Sequence, residues 1–141
     1  MTCIRLTIEG APQSQKRHRT FSRGSKLIQF DPSSESKQII RKSIIKQVIG
    51  KSAFDADVPL AVTIYCYMPI PKSYSKKKKE QCEINELFPV TKPDCDNLAK
   101  SYLDCMSGLV YHDDRQVIVL HIEKFYSLEP RTEIIVQRVG L

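Results

Sequence analysis

Pro93 to Val117 reads P-D-C-D-N-L-A-K-S-Y-L-D-C-M-S-G-L-V-Y-H-D-D-R-Q-V, and its spacing organises everything around it. Leu98, Tyr102, Leu103 and Met106 recur along one helical face, and Gly108 supplies a terminator past the last turn. The spacing predicts a helix over 94–106. Pro93 keeps the chain non-helical up to that point and restrains Lys92 to extended conformations, which sets Asp94 at or before the N-cap. In an extended segment Asp94 and Asp96 share one side, whereas within a regular helix a two-residue step would turn them about 200° apart. Lys100 lies four residues beyond Asp96 on the same face. Two carboxylates and an ammonium converge at a helix start.

These residues have two readings. Asp94 as an N-cap, Asp96 favoured by the helix dipole and Lys100 as the i,i+4 partner of Asp96 describe an ordinary helix. The second acidic pair shifts the balance. Asp113 and Asp114 lie in a turn just past the same helix, where a short return of the chain would bring them beside Asp94 and Asp96. Clustered carboxylates repel one another unless a cation neutralises them, and an all-oxygen donor set suits Mg²⁺, with Mn²⁺ able to substitute. A hard ion held by few carboxylates keeps positions open for water and phosphate oxygens, as phosphodiester hydrolysis requires. Lys100 would stabilise charge on the phosphate oxygens or the leaving group.

Outward from this centre, residues 3–9 alternate Ile4, Leu6 and Ile8 against polar neighbours, as a half-buried strand does. Residues 14–26 read as a basic loop, and Leu27 to Phe30 as a short extended piece before Asp31-Pro32, a cap and first helical position. Ile40, Ile44, Ile45, Val48 and Ile49 predict a helix over 33–49, stopped by Gly50. Residues 60–68 are the clearest strand, ended by Pro71. The lysine-rich stretch 73–86, with Ser75 as a cap, reads as a solvated helix with little core. Residues 117–126 and 132–139 are rich in β-branched and aromatic side chains and read as a terminal hairpin. Strands and helices mix without a βαβ rhythm, so the class is α+β, with one compact domain spanning 1–141 and a mixed sheet packed by helices.

The chain has 141 residues, 41% of them hydrophobic, and a formal charge of +6. That length buries a sufficient core without disulfides or a structural metal. No apolar run approaches the roughly 18 to 20 residues of a membrane span, and the N-terminus lacks a signal-peptide pattern, so a soluble, intracellular protein without membrane contact is expected. Cys3, Cys66, Cys82, Cys95 and Cys105 form no C-x-x-C pair, which fits thiols in a reducing compartment. A zinc site from Cys95, Cys105 and His112 lacks the usual tight ligand pairs. Lys16, Arg17, Arg19, Arg23 and Lys26 stand between Ser14 and Lys26 with no acid among them, and Lys72 and Lys76 to Lys79 flank Tyr74. Cationic flanks around an acidic centre suit a polyanion that is also acted upon.

The stretch from Lys92 to Val117 resembles the signature of the RusA-type Holliday junction resolvases, especially their phage and prophage branch. The likeness rests on D-x-D-N-L-x-K, the downstream L-D, the G-x-V-Y and the D-D-x-Q-V, in this order and spacing. Weaker similarity runs through Gly10, Pro12 and Lys16, and late through Lys124, Pro130, Arg131 and Thr132. The resemblance implies a RusA-like homodimer in the bacterial cytoplasm, associated with the nucleoid, that cleaves branched double-stranded DNA using Mg²⁺ and no small-molecule cofactor. It implies metal ligation by Asp94, Asp96 and Asp114, with Lys100 assisting. The role of Asp113 is left open. Cys95 and Cys105 stand where the family usually has an aliphatic and a small residue, and neither removes a ligand.

A four-way junction has approximate two-fold symmetry and needs two opposed nicks, which a C2 dimer with two active sites supplies. Lys16, Arg17, Arg19, Arg23 and Lys26 read as phosphate contacts, since five cations without an acid repel one another in the absence of an anionic partner. Lys76 joins them, with a merely solubilising helix face as the alternative. Phe21 either anchors the loop or stacks at an unpaired junction centre. The leading function is therefore a junction-resolving endonuclease making paired symmetric nicks. The alternatives are a non-catalytic branched-DNA-binding module, or a less selective metal nuclease acting on forks, flaps or RNA.

Overall fold

Alternating burial in Cys3–Glu9 (β1) and Leu60–Pro69 (β4) sets the sheet: Ile4, Leu6 and Ile8 of the first strand, and Leu60, Val62, Ile64 and Cys66 of the second, point into the core. The computed structural model describes residues 3–15, 19–30, 32, 34–51 and 53–140, with Arg19, Phe21, Gln29 and Phe30 described by their backbone only. Between those strands lie β2 (Arg19–Arg23), β3 (Lys26–Phe30) and the helix α1 (Ser34–Val48). After β4 come the helices α2 (Lys76–Glu83) and α3 (Cys95–Met106), a 3-10 turn at Asp114–Gln116, and the strands β5 (Val117–Ser127) and β6 (Arg131–Arg138).

The main sheet has the order β1-β6-β4-β5, with β6 antiparallel to both β1 and β4, and β5 parallel to β4. The expected terminal hairpin of residues 117–126 and 132–139 is thus corrected: both strands exist, but β4 lies between them. Its core-facing side chains are wholly buried, and a strand buried in this way takes partners on both edges. Alternation identifies strands but does not name their neighbours. The class, α+β with a mixed sheet packed by helices in one domain, is as expected.

The expected basic loop over 14–26 also contains regular structure. Arg19–Arg23 and Lys26–Phe30 pair as an antiparallel hairpin in which Arg23 faces Lys26 across a two-residue turn. Gly24 opens that turn at φ +64°, a conformation glycine adopts without strain. The cations obscured a T-F-S and L-I-Q-F strand pattern.

α1 and α3 cover one face of the sheet, where Ile40, Ile44, Leu98, Tyr102 and Met106 join Leu6, Val62, Ile64, Ile134 and Val136 in one core. Each such aliphatic side chain contributes on the order of 1.5–3 kcal/mol by leaving water. Lys37 pairs with Asp104 at 2.7 Å, and the Arg41 guanidinium donates to the carbonyls of Cys105 and Ser107, both at 3.1 Å. A cation from α1 thereby satisfies carbonyls at the carboxyl end of α3. In α2 the Ser75 hydroxyl accepts from the Lys78 amide at 3.2 Å, and Cys82 is the one buried residue, so that helix adds little core, as its composition implied. No helix among the described residues is long and apolar enough to cross a membrane, and no disulfide joins the five cysteines.

Candidate active site

α3 begins where the spacing predicted. Asp94 is its N-cap, in extended conformation at φ −75° and ψ 151°, and its carbonyl accepts the first helical bond from the Leu98 amide at 3.1 Å. Its carboxylate makes no capping bond. Asp96 sits in the first turn and Lys100 one turn further, all three exposed. Among the described residues no ion pair joins Asp96 to Lys100. The ordinary explanations, capping for Asp94 and pairing for Asp96, are therefore not realised.

The segment that delivers Asp94 is held from the sheet. Lys124 of β5 extends its Nζ to the carbonyls of Thr91 and Pro93, both at 2.9 Å, around the cis Lys92–Pro93 peptide. From the other side the chain entering the basic arm is fixed against α3. The Gln15 amide donates to the Asn97 carbonyl at 3.2 Å, and the Gln13 amide donates to the Tyr102 hydroxyl at 3.0 Å. Thr132 of β6 donates to the same hydroxyl at 2.8 Å. Burial pushes the Tyr102 phenol up to about 12, against the lowering effect of these two bonds. Between the arm and the helix start lies a cleft of about 590 Å³ lined by Ser14, Lys92, Pro93, Asp94 and Asn97.

The second acidic pair is built differently. Asp113 accepts from the Arg115 amide at 2.9 Å, and this bond holds its carboxyl below the usual carboxylate range. Gln116, buried, takes the His112 and Asp113 amides on its Oε1 at 2.9 and 3.1 Å and donates to the Asp55 and Val58 carbonyls at 2.7 and 3.1 Å. The turn is thus fixed to the loop before β4. Asp114 is exposed on it, its carboxyl raised first by partial desolvation and then by Asp113 and Asp104. Asp113, whose role was open in the sequence, is the cap of this turn.

The structure brings Asp94, Asp96 and Lys100 to one helix start and does not bring Asp114 to them. Asp114 neighbours Asp104, near the opposite end of a 12-residue helix whose length is about 18 Å. Among the described residues no three His, Cys, Asp or Glu side chains form a group able to hold a metal ion. The expected return of Asp114 to Asp94 and Asp96 is not made within one chain, because the 3-10 turn leads directly into β5. Of the expected DNA contacts, Arg23 and Lys26 are exposed at the hairpin turn and Lys76 is exposed at the start of α2. Lys16 and Arg17 lie outside the described residues, as does the Arg19 side chain and with it the question of Phe21.

Sequence reasoning passed over three residues that hold the site: Lys124, Gln116 and Tyr102. Lys124 carried a signal, since it interrupts the core-facing series Leu120, Ile122 and Tyr126 with a charge. Gln116 carried one as the polar residue that ends D-D-x-Q before an apolar strand. Tyr102 read only as core.

A basic arm rooted beside unpaired carboxylates on a helix start defines a small α+β protein that processes nucleic acid. The family model for endodeoxyribonuclease RusA matches residues 9–137, and the chain belongs to that family. It is also 39% identical over 144 residues to a protein of Bacillus subtilis (strain 168) described as "Uncharacterized protein YqaN", with 99% of each chain covered. Family membership makes this protein a nuclease, of a family that acts on DNA junctions.

Proposed function

We propose that the protein is a structure-selective DNA endonuclease that resolves four-way junctions by Mg²⁺-dependent hydrolysis, working as a homodimer that makes paired, symmetric nicks. The observation that carries this reading is the match to the RusA family across the D-x-D-N-L-x-K helix start, where Asp94, Asp96 and Lys100 stand exposed and unpaired beside the basic arm. Asp94 and Asp96 are hard oxygen donors of the kind Mg²⁺ or Mn²⁺ takes, and such an ion would polarise the phosphate and acidify a bound water.

One protomer does not supply the third carboxylate, since its own Asp114 is placed at the far end of α3. The donor set becomes complete if Asp114 comes from a second copy. The dimer then serves two purposes: it presents two sites to a two-fold symmetric substrate, and it assembles each of them. Lys100 lies on the metal-facing side of α3 and neutralises charge on the scissile phosphate or the leaving group. Arg23 and Lys26, with Lys16, Arg17 and Arg19, grip the phosphates of one arm, and Lys76 those of another. Asn97 lines the cleft beside Asp94 and orients the helix start. The phage or prophage origin belongs to the same reading, through the family branch its signature resembles.

The test is cleavage of a synthetic four-way junction beside a linear duplex of matched sequence, with Mg²⁺ or with EDTA, for wild type and Asp96→Asn. Paired nicks that require both metal and Asp96, while Asp96→Asn still binds the junction, support the reading. Equal cutting of the linear duplex would remove the junction selectivity, and metal-independent cutting would remove the role of the aspartates.

A further inference from the structure

β5 is an edge strand of the sheet, and its first half is bare. Ile118, Val119 and Leu120 are 62%, 50% and 45% exposed, so three consecutive apolar residues are open on both faces of the strand. A long edge with apolar side chains and unpaired backbone groups is a template for another strand, and folds normally blunt it with charge, proline or a cover. Here the charges stand outside the apolar run, with Arg115 before it and Glu123 after it.

The same strand connects the two halves of the divided site. Asp114 immediately precedes β5, and Lys124 within β5 holds the carbonyl of Pro93, next to Asp94. Two copies of one strand that pair antiparallel do so about a two-fold axis, and every residue before the axis meets its mirror position after it. A register that sets Asp114 of one copy toward Lys124 of the other has its axis at the midpoint, Val119. That register also sets Ile118 opposite Leu120 and Arg115 opposite Glu123. The apolar residues meet at the axis, opposite charges meet on either side, and the third aspartate is carried toward the Asp94 segment of the other chain.

We infer that the edge of β5 is the self-association surface, pairing antiparallel with β5 of a second copy about Val119, with Arg115 of each chain against Glu123 of the other. The pairing joins the two four-stranded sheets into one and completes each site with the second copy's Asp114. This inference rests on the homodimeric nuclease reading, and its test reads association directly, without metal, DNA or turnover.

Molar mass is measured by sedimentation equilibrium for wild type, Arg115→Glu, Glu123→Arg and the double variant. Val119→Cys is oxidised beside wild type, which controls for the native thiols. A wild-type dimer, dissociation constants raised at least 10-fold by either single charge change and restored in the double variant, and a covalent dimer formed by Val119→Cys alone are the expected results. A dimer indifferent to all three changes would overturn this interface while leaving a dimeric nuclease standing. A monomer at every concentration would overturn the interface and the two-copy site together. Val119→Lys gives a second check, since it sets two ammonium groups against each other at the axis and should yield a folded monomer.

Discussion

The Nζ of Lys124 lies 2.9 Å from the carbonyl oxygen of Pro93, so a cation of the sheet holds the backbone from which Asp94 projects. A second bond of equal length to Thr91 makes the hold two-pronged. The position and orientation of a metal-binding carboxylate depend on such supports, whose loss costs about 10- to 100-fold in metal affinity or activity. Lys124→Met should therefore raise the Mg²⁺ concentration for half-maximal cleavage by about that factor and leave junction affinity in EDTA unchanged. Metal titrations of cleavage and gel-shift binding, run side by side, separate the two effects. Equal loss in both would mean that Lys124 contacts DNA.

The Tyr102 hydroxyl joins the root of the basic arm to β6 through Gln13 and Thr132. Tyr102→Phe removes the acceptor and leaves a buried threonine hydroxyl and a backbone amide without it. Denaturant unfolding should show a loss of about 1–3 kcal/mol. Because the arm is anchored at this point, junction binding should also weaken, although residue 102 itself is 1% exposed and reaches no ligand.

Arg23 and Lys26 face each other across the Gly24–Ser25 turn, where they are exposed and carry like charge. Repulsion between them is relieved by an anion. Replacing both by alanine should lower junction affinity for all sequences alike and reduce the slope of log affinity against log salt by about 2, one counterion for each lost phosphate contact. An unchanged slope would place the hairpin turn away from DNA.

Asp114 has a raised carboxyl pKa, caused first by desolvation and then by Asp113 and Asp104. A carboxyl whose folded-state value lies above its unfolded value contributes stability while it is protonated, and that contribution is lost as pH rises through the folded value. In metal-free protein, Asp114→Asn should therefore raise Tm modestly at pH 7 and not at pH 3, where the carboxyl is protonated in both states. Asp113 behaves oppositely. Its lowered value stabilises the fold above the ordinary carboxylate range, and that contribution is lost as pH falls through the lowered value, so Asp113→Asn should cost stability at neutral pH. Thermal melts of both variants across pH 3–8 check the two signs.

The helix starting after Asp94 was legible because a proline, two aspartates, a heptad-like apolar face and a glycine all agree on one placement. β1, β4, α1 and the Ser75 cap were legible for similar local reasons. The hairpin of residues 19–30 was concealed by its charges, which are a surface property and say nothing about backbone pairing. The place of β6 beside β4 was not legible, because strand neighbours are chosen by burial across the whole sheet. The site was read correctly at Asp94, Asp96 and Lys100, where spacing along one element fixes geometry. It was not fixed at Asp114, whose approach to the others depends on where a second element leads.

The measurement that bears most directly on a site shared by two copies is complementation. Asp96→Asn and Asp114→Asn are each inactive alone, and the two are mixed under conditions where tagged copies demonstrably exchange. If each site takes Asp94 and Asp96 from one chain and Asp114 from the other, a mixed dimer places both defects in one site and leaves the other whole. Cleavage should then return to about a quarter of wild type, since random exchange makes half the dimers mixed and each has one intact site of two. The products should be unpaired nicks. A mixture that exchanges subunits and stays inactive would contradict the shared site and return all three aspartates to a single chain.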